Sequence, residues 1–140
     1  MDKNAIISVY DKTDLDIISK YLIKKKYTIY STGGTSDFLK KHNIPHIEIS
    51  KYTKQKEILG GRVKTLHPKI FGGLLGTKSL KHQKELQSEQ IVNFDILIVN
   101  LYPFEETLKN TNKSDEIIEM IDIGGHNLKK AANKKFTCSK

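Results

Sequence analysis

The chain has 140 residues, 37% of them hydrophobic and 29% charged, so one compact, soluble globular domain is expected. No apolar run reaches the roughly 20 residues that a bilayer crossing needs, and the opening Met1-Asp2-Lys3-Asn4 does not lead into a secretory signal, so a cytoplasmic protein with no membrane attachment is expected. The formal charge of +8 invites an anionic partner, yet Arg62 is the only arginine among 24 basic residues, and this lysine bias accounts for most of the charge as solvated helix faces.

Ala5-Ile6-Ile7-Ser8-Val9 reads as a buried strand. A turn at Asp11-Lys12-Thr13 follows, with Thr13 as a helix cap and Asp16 as its capping-box partner. Leu15, Ile18, Tyr21 and Leu22 then recur at helical spacing, and this helix is expected to end near Lys24 to Lys26. Thr28 to Ser31 is a second strand, Gly33-Gly34 breaks it, and Thr35 to Lys41 is a second helix. His46 to Ile49 forms a third strand. The alternation predicts a doubly wound α/β fold with a mostly parallel sheet and flanking helices. Residues 50–76 read as a long glycine-rich functional loop, and Ser79 to Gln90 as an exposed helix. Phe94 to Val99 is the strongest strand. Ser114 caps a helix running through Met120, Asp122 to Gly125 is a turn, and a lysine-rich helix continues to about Lys135. Cys138 is the only cysteine, so neither an internal disulfide nor a cysteine-based zinc site is expected.

Three segments carry donors suited to a phosphate. Lys12 follows the first strand, and Thr32-Gly33-Gly34-Thr35 follows the second, where paired glycines and a helix start turn backbone N–H groups toward an anion. Arg62, Lys64 and Thr65 concentrate further donors, and in an extended segment residues 62 and 64 face one anion together. Arg62 is the residue for a two-pronged phosphate grip that lysine cannot copy. Asn100 and Tyr102 leave the strongest strand, and Asp122 precedes Gly124 and Gly125. Each of these segments also has a purely structural reading, as an ordinary glycine turn, a basic surface loop or a helix cap.

Gly61-Arg62-Val63-Lys64-Thr65-Leu66-His67-Pro68, Asn100-Leu101-Tyr102-Pro103-Phe104 and Ile121-Asp122-Ile123-Gly124-Gly125 together resemble the cyclohydrolase domain of the bifunctional purine biosynthesis family, the formyltransferase/IMP cyclohydrolases. The Thr32-Gly33-Gly34-Thr35 turn is shared more widely with methylglyoxal-synthase-like domains of the same fold. The resemblance runs from about Ala5 to Lys135. It implies dehydrative ring closure of 5-formamido-imidazole-4-carboxamide ribonucleotide to IMP, without cofactor or metal, in a homodimer. It implies phosphate binding by Lys12, Thr32, Gly33, Gly34, Thr35, Arg62 and Thr65. Lys64 and Tyr102 would polarise the formyl oxygen, Asp122 and Lys134 would handle protons at the carboxamide, and Asn100, Ile123, Gly124 and Gly125 would hold the base.

Departures from the family pattern include Phe71 in place of a histidine, and His126 to Lys130 in place of a less polar stretch. Residues 1–140 are expected to be one cyclohydrolase domain cut short at its C-terminal end, where Phe136 would begin a further strand, with the formyltransferase domain absent. The alternative function is a catalytically impaired nucleotide- or phosphate-binding module. A methylglyoxal-synthase-like lyase leaves the segments around Arg62 and Asp122 unexplained, and nucleic-acid binding lacks an aromatic-rich strand motif.

Overall fold

Short apolar runs become a four-stranded sheet in the computed structural model, which describes residues 2–135. The strands are β1 (Lys3–Ser8), β2 (Tyr27–Ser31), β3 (Ile47–Glu48) and β4 (Ile96–Val99). They pair in the order β3-β2-β1-β4, every pairing parallel. The chain therefore steps outward from β1 to β3 and returns to the far side of β1 for β4. That reversal opens a crevice at the carboxyl ends of β1 and β4, the place where parallel sheets of this kind bind ligands.

Alternation along the strands divides the core into two layers. Ala5, Ile7 and Ile29 face α1 (Leu15–Lys24) and α2 (Gly33–Lys41), where they pack with Leu15, Leu22 and Leu39. Ile6 and Tyr30 face the other way, toward Ile49, Ile70, Leu74, Phe94 and Leu128. That second layer is built by α3 (Ile49–Thr53), α4 (Pro68–Leu75) and α8 (Ile123–Lys135). Burying each such side chain stabilises the fold by roughly 1.5–3 kcal/mol relative to exposure. The remaining helices are α5 (Leu80–Ser88), α6 (Phe104–Asn110) and α7 (Ser114–Glu119).

Several expectations are corrected. Thr13 does not cap α1: Asp14 stands at the cap in a left-handed conformation, and the Thr13 hydroxyl turns back to Asp11. The core face of α1 is Leu15, Ser19 and Leu22, while Ile18 and Tyr21 are exposed. The third strand is shorter than expected because Ile49 already begins α3. Ser114 is the first residue of α7 rather than its cap.

Residues 50–76 are not one irregular loop. They contain α3, a 3₁₀ turn (Leu59–Gly61) and α4. Gly73 lies inside α4 for packing: a Cβ there would sit 2.4 Å from the Val92 carbonyl oxygen and 2.6 Å from the Phe94 ring. The glycine lets α4 lie against the chain entering β4. Gly124 and Gly125 likewise fall within the first turn of α8. The strand expected from Phe136 onward lies outside the described residues, as does Cys138.

Candidate functional site

The loops at the carboxyl ends of β1, β2 and β4 are tied into one corner. The Asn100 side chain accepts from the backbone N–H groups of Tyr10 (2.6 Å) and Asp11 (3.1 Å), and donates to the Asp11 carbonyl (2.8 Å). From the other side, the Thr35 hydroxyl accepts from Val9 N–H (3.0 Å) and donates to the Val9 carbonyl (3.1 Å). The loop carrying Lys12 is thus held between β4 and α2. Lys12 Nζ donates to the Tyr10 carbonyl at 3.0 Å and lies 3.6 Å from the point where a Gly34 Cβ would stand. An ammonium group therefore rests against the first turn of α2.

That first turn is built to meet an anion. Gly33 has φ +43°, and the N–H groups of Gly33, Gly34 and Thr35 have no carbonyl one turn back to bond. Ser36 N–H is the first to close a helical bond, to the Thr32 carbonyl. Thr32, 9% exposed, lies 3.4 Å from the Ser8 hydroxyl through its own. Beneath it the Ser31 hydroxyl is fully buried without a hydrogen-bond partner. Ser31, Thr32 and Gly33 line a polar cleft of about 270 Å³ together with Lys40, Glu57 and Lys64. An unpartnered buried hydroxyl costs about 1–3 kcal/mol, and this one lies wholly inside the fold beneath the start of α2.

A tight hairpin brings the second cation. Ile58 and Val63 exchange backbone hydrogen bonds around the 3₁₀ turn. Lys64, just beyond the bridge, places Nζ 3.0 Å from the Gly33 Cβ point and 3.8 Å from a Glu57 carboxylate oxygen. Arg62 does not join it. Its backbone is helical (φ −65°, ψ −26°), so the segment is not extended there, and the guanidinium pairs with Glu119 at the end of α7. The expectation that residues 62 and 64 face one anion together is therefore not met in this arrangement. Thr65 is buried, its hydroxyl 3.4 Å from the Gly124 Cβ point, so the loop bridges the starts of α2 and α8.

Tyr102 and Asp122 share a broader, mostly apolar cavity of about 770 Å³ whose walls include Leu101, Phe104, Met120 and His126. Asp122 caps α8: one carboxylate oxygen accepts from Gly125 N–H (2.6 Å), and the other from Tyr102 N–H (3.4 Å). The Tyr102 ring meets Tyr10 edge to face at 5.6 Å. Three expected placements differ. Asn100 spends its amide on the 10–11 loop rather than on a free wall. Lys64 lines the polar cleft and Tyr102 the apolar cavity. Lys134 is exposed at the far end of α8, eleven residues beyond Ile123 and so about 17 Å along the axis, which separates it from Asp122. The Ile123 side chain is exposed as well.

Sequence reasoning overlooked Glu57, and it put Ser31 at the head of the donor-bearing glycine turn without showing that its hydroxyl would be buried unpartnered. A single glutamate in a glycine-rich stretch carries no signal, and an unpartnered hydroxyl is visible only in three dimensions. Among the described residues, no group of three His, Cys, Asp or Glu is placed to hold a metal, and no helix is long and apolar enough to cross a membrane.

Comparisons with known proteins place the fold in a family. Residues 15–126 match the model of the MGS-like domain family. The chain is 51% identical over 135 residues to the bifunctional purine biosynthesis protein PurH of Buchnera aphidicola subsp. Schizaphis graminum, covering 96% of this chain and 26% of that protein. It is 48% identical to the PurH of Fusobacterium nucleatum, covering 97% of this chain and 27% of the relative. The chain thus spans about a quarter of the length of these curated relatives. Among solved structures, the crystal structure of ForH superposes with a TM-score of 0.80 at 25% identity, covering 96% of this chain and 69% of that one. With a family match over most of its length, this chain belongs to the MGS-like domain family.

Proposed function

We propose that the chain carries IMP cyclohydrolase chemistry. In this reading, the carboxamide nitrogen of 5-formamido-imidazole-4-carboxamide ribonucleotide attacks the formyl carbon, and the formyl oxygen leaves as water. The new C–N bond closes the ring, so the balance needs no cofactor. The observation that carries the reading is the convergence of Lys12 and Lys64 on the first turn of α2, beside the positive-φ Gly33. Two ammonium groups and free helix N–H groups suit a phosphate dianion. The likeness to PurH relatives supplies the choice of nucleotide.

The chain's own residues then divide by cavity. The first turn of α2 takes the ribose phosphate, through Lys12 and the N–H groups of Gly33, Gly34 and Thr35, with Lys64 reaching it from the polar cleft. The apolar cavity takes the base, with Tyr102 turned to the formyl oxygen and Asp122 to the proton leaving the carboxamide nitrogen. His126 lines the same cavity and is a second proton carrier there, in the role that Lys134 stands too far away to fill. Exposed apolar side chains on and beside α6, α7 and α8, among them Phe104, Ile118 and Ile121, offer a surface for a homodimer. A cytoplasmic setting follows from the same reading.

The remoteness of Lys134 and the capping duty of Asp122 favour a second reading, a module that grips the nucleotide without turning it over. Absorbance change on conversion of the formylated nucleotide to IMP by the 140-residue chain decides between them. Calorimetry adds the binding arm. Bonds to a charged group contribute about 1.5–3 kcal/mol each, so IMP should bind well over tenfold more tightly than inosine. Equal affinities would remove the phosphate site and with it both readings.

A further inference from the structure

The phosphate cradle of the proposed function already holds an anion of the protein's own. Glu57 and Lys64 flank the Ile58–Val63 bridge, directly opposite each other in register, so their side chains leave the hairpin on the same side. One Glu57 carboxylate oxygen lies 3.5 Å from the Gly33 Cβ point, and the other lies 3.4 Å from the Gly61 Cβ point. Lys64 Nζ lies 3.0 and 3.2 Å from those same two points. Gly61, at φ +87°, holds a conformation that a side chain would strain, and the bare backbone there leaves room for both groups. The result is a carboxylate seated at the positive end of α2 and beside the cleft's lysine, which is the electrostatic position a phosphate would take. The seat is loose: the ion pair is 3.8 Å long, beyond hydrogen-bond length, and the Glu57 side chain is 37% exposed.

We propose that Glu57 is a displaceable plug of the phosphate cradle, one that incoming phosphates must expel. This rests on the reading of the α2 turn as a phosphate site. A phosphate and the Glu57 carboxylate cannot both lie against Gly33 and Lys64 without like-charge repulsion in a confined cleft. The plug therefore raises the dissociation constant of every phosphate-bearing ligand by a common factor. Inorganic phosphate and other small anions, which have only the cradle to hold them, are left largely unbound. A nucleotide carries further contacts through its ribose and base, and so retains useful affinity. When it binds, Glu57 swings outward toward solvent and Lys64 exchanges a long carboxylate pair for a phosphate.

Calorimetric titrations of the full chain, Glu57→Gln and Glu57→Ala with inorganic phosphate, IMP and inosine test this. Removing the charge should tighten phosphate and IMP by a similar factor, on the order of tenfold, and leave inosine unchanged. The alanine variant guards against a new amide contact in the glutamine variant, so both must gain. Unchanged or weaker IMP binding in both variants, with the parent still preferring IMP to inosine, would overturn the plug and leave the cradle standing. An equal gain for inosine would overturn it too, because the effect would then not act at the phosphate. A parent chain with no preference for IMP over inosine would remove the cradle and the plug together.

Discussion

The polar cleft, at the ends of β2 and β3, and the apolar cavity, beyond β4, share the carboxyl end of the sheet but are built on opposite principles. Around the cleft, the loop bearing Lys12 is pinned from two sides, by Asn100 through three hydrogen bonds and by Thr35 through two. Around the cavity, the tethers are few: Asp122 links Tyr102 to α8, Leu101, Pro103, Phe104, Met120 and Ile121 supply the apolar wall, and α6 adds Glu105, Glu106 and Lys109. A phosphate is the same in every nucleotide and rewards a rigid, pre-set cradle. A base undergoing ring closure needs an apolar wall with a few polar groups at fixed points. On the proposed function, anchoring and chemistry fall on different walls, and substitutions on each wall should separate in what they disturb.

The largest separation is expected at Asp122. Asn can keep the cap to Gly125 through its one carbonyl oxygen but gives up the longer bond from Tyr102 N–H, so Asp122→Asn should cost no more than about 1 kcal/mol of stability. If the carboxylate moves a proton, turnover should nonetheless fall on the order of 10²–10⁴. Asp122→Ala should lose both, with about 1 kcal/mol of stability gone through the cap. Urea melts and IMP formation, measured on the two variants side by side, check this. Full activity in Asp122→Asn would reduce the residue to a cap.

Lys64→Ala is the next largest effect and acts on the other wall. From its place over Gly33, Lys64 should contribute one charged phosphate bond, so IMP and inorganic phosphate should both weaken by roughly tenfold to a hundredfold. The resemblance assigns Lys64 to the formyl oxygen instead, where its loss would lower kcat by about 10²–10³ and spare product affinity. Parallel measurement of kcat and IMP affinity separates the two roles.

Asn100→Ala tests the pin itself. It removes the acceptor of two N–H groups and the donor to one carbonyl, and about 1–2 kcal/mol of stability should go. The Lys12 loop loses its β4 anchor, so nucleotide affinity should fall while the apolar cavity keeps its shape. Thermal melts and IMP titration provide the readout. A loss of stability with nucleotide affinity intact would show that Lys12 does not depend on the pin.

How much of this was legible in the sequence depends on what kind of signal each part carries. β1, β2 and β4 announce themselves as apolar runs, while α2, expected to start at Thr35, takes in the glycine pair as its first two residues. α4 does not, because Gly72 and Gly73 look like turn residues while Gly73 serves a backbone contact with Val92 that only the packed sheet reveals. α6 was missed although Pro103 at its start is a helix signal, since a seven-residue helix carries little periodicity. The donor-rich turns identify the site, but not who uses each donor. Thr35 and Asn100 were expected to bind phosphate and base, but the hydrogen bonds they make hold the Lys12 loop. Lys134 follows Asp122 closely in sequence, but one unbroken helix carries it three turns away.

The smallest expected effect lies at the base of the pinned loop. The Thr13 hydroxyl (2.7 Å) and the Thr13 backbone N–H (2.9 Å) both donate to one Asp11 carboxylate oxygen. These bonds favour the charged carboxylate, and they hold the Asp11 pKa below its usual value of 3.8, with the hydroxyl as the first cause. The sign follows from linkage. A carboxyl with a depressed folded-state pKa contributes stability that is fully present above the unfolded value and is lost as the pH falls through the folded one. At neutral pH the contribution is intact, and below about pH 4 it fades as Asp11 takes up a proton. Thr13→Val keeps the side-chain shape and the backbone N–H but deletes the hydroxyl, so the Asp11 pKa should rise toward 3.8 without returning fully to it. Carboxyl carbon shifts followed by NMR across pH 2–7 in both proteins would show it. Because Asp11 sits on the loop that carries Lys12, the same titration can follow the Lys12 backbone amide. If that amide reports the Asp11 proton in the parent but not in Thr13→Val, the hydroxyl couples the carboxylate to the loop's geometry. If neither protein shows it, the turn is a local solvent-exposed feature and the pin at Asn100 and Thr35 alone sets the loop.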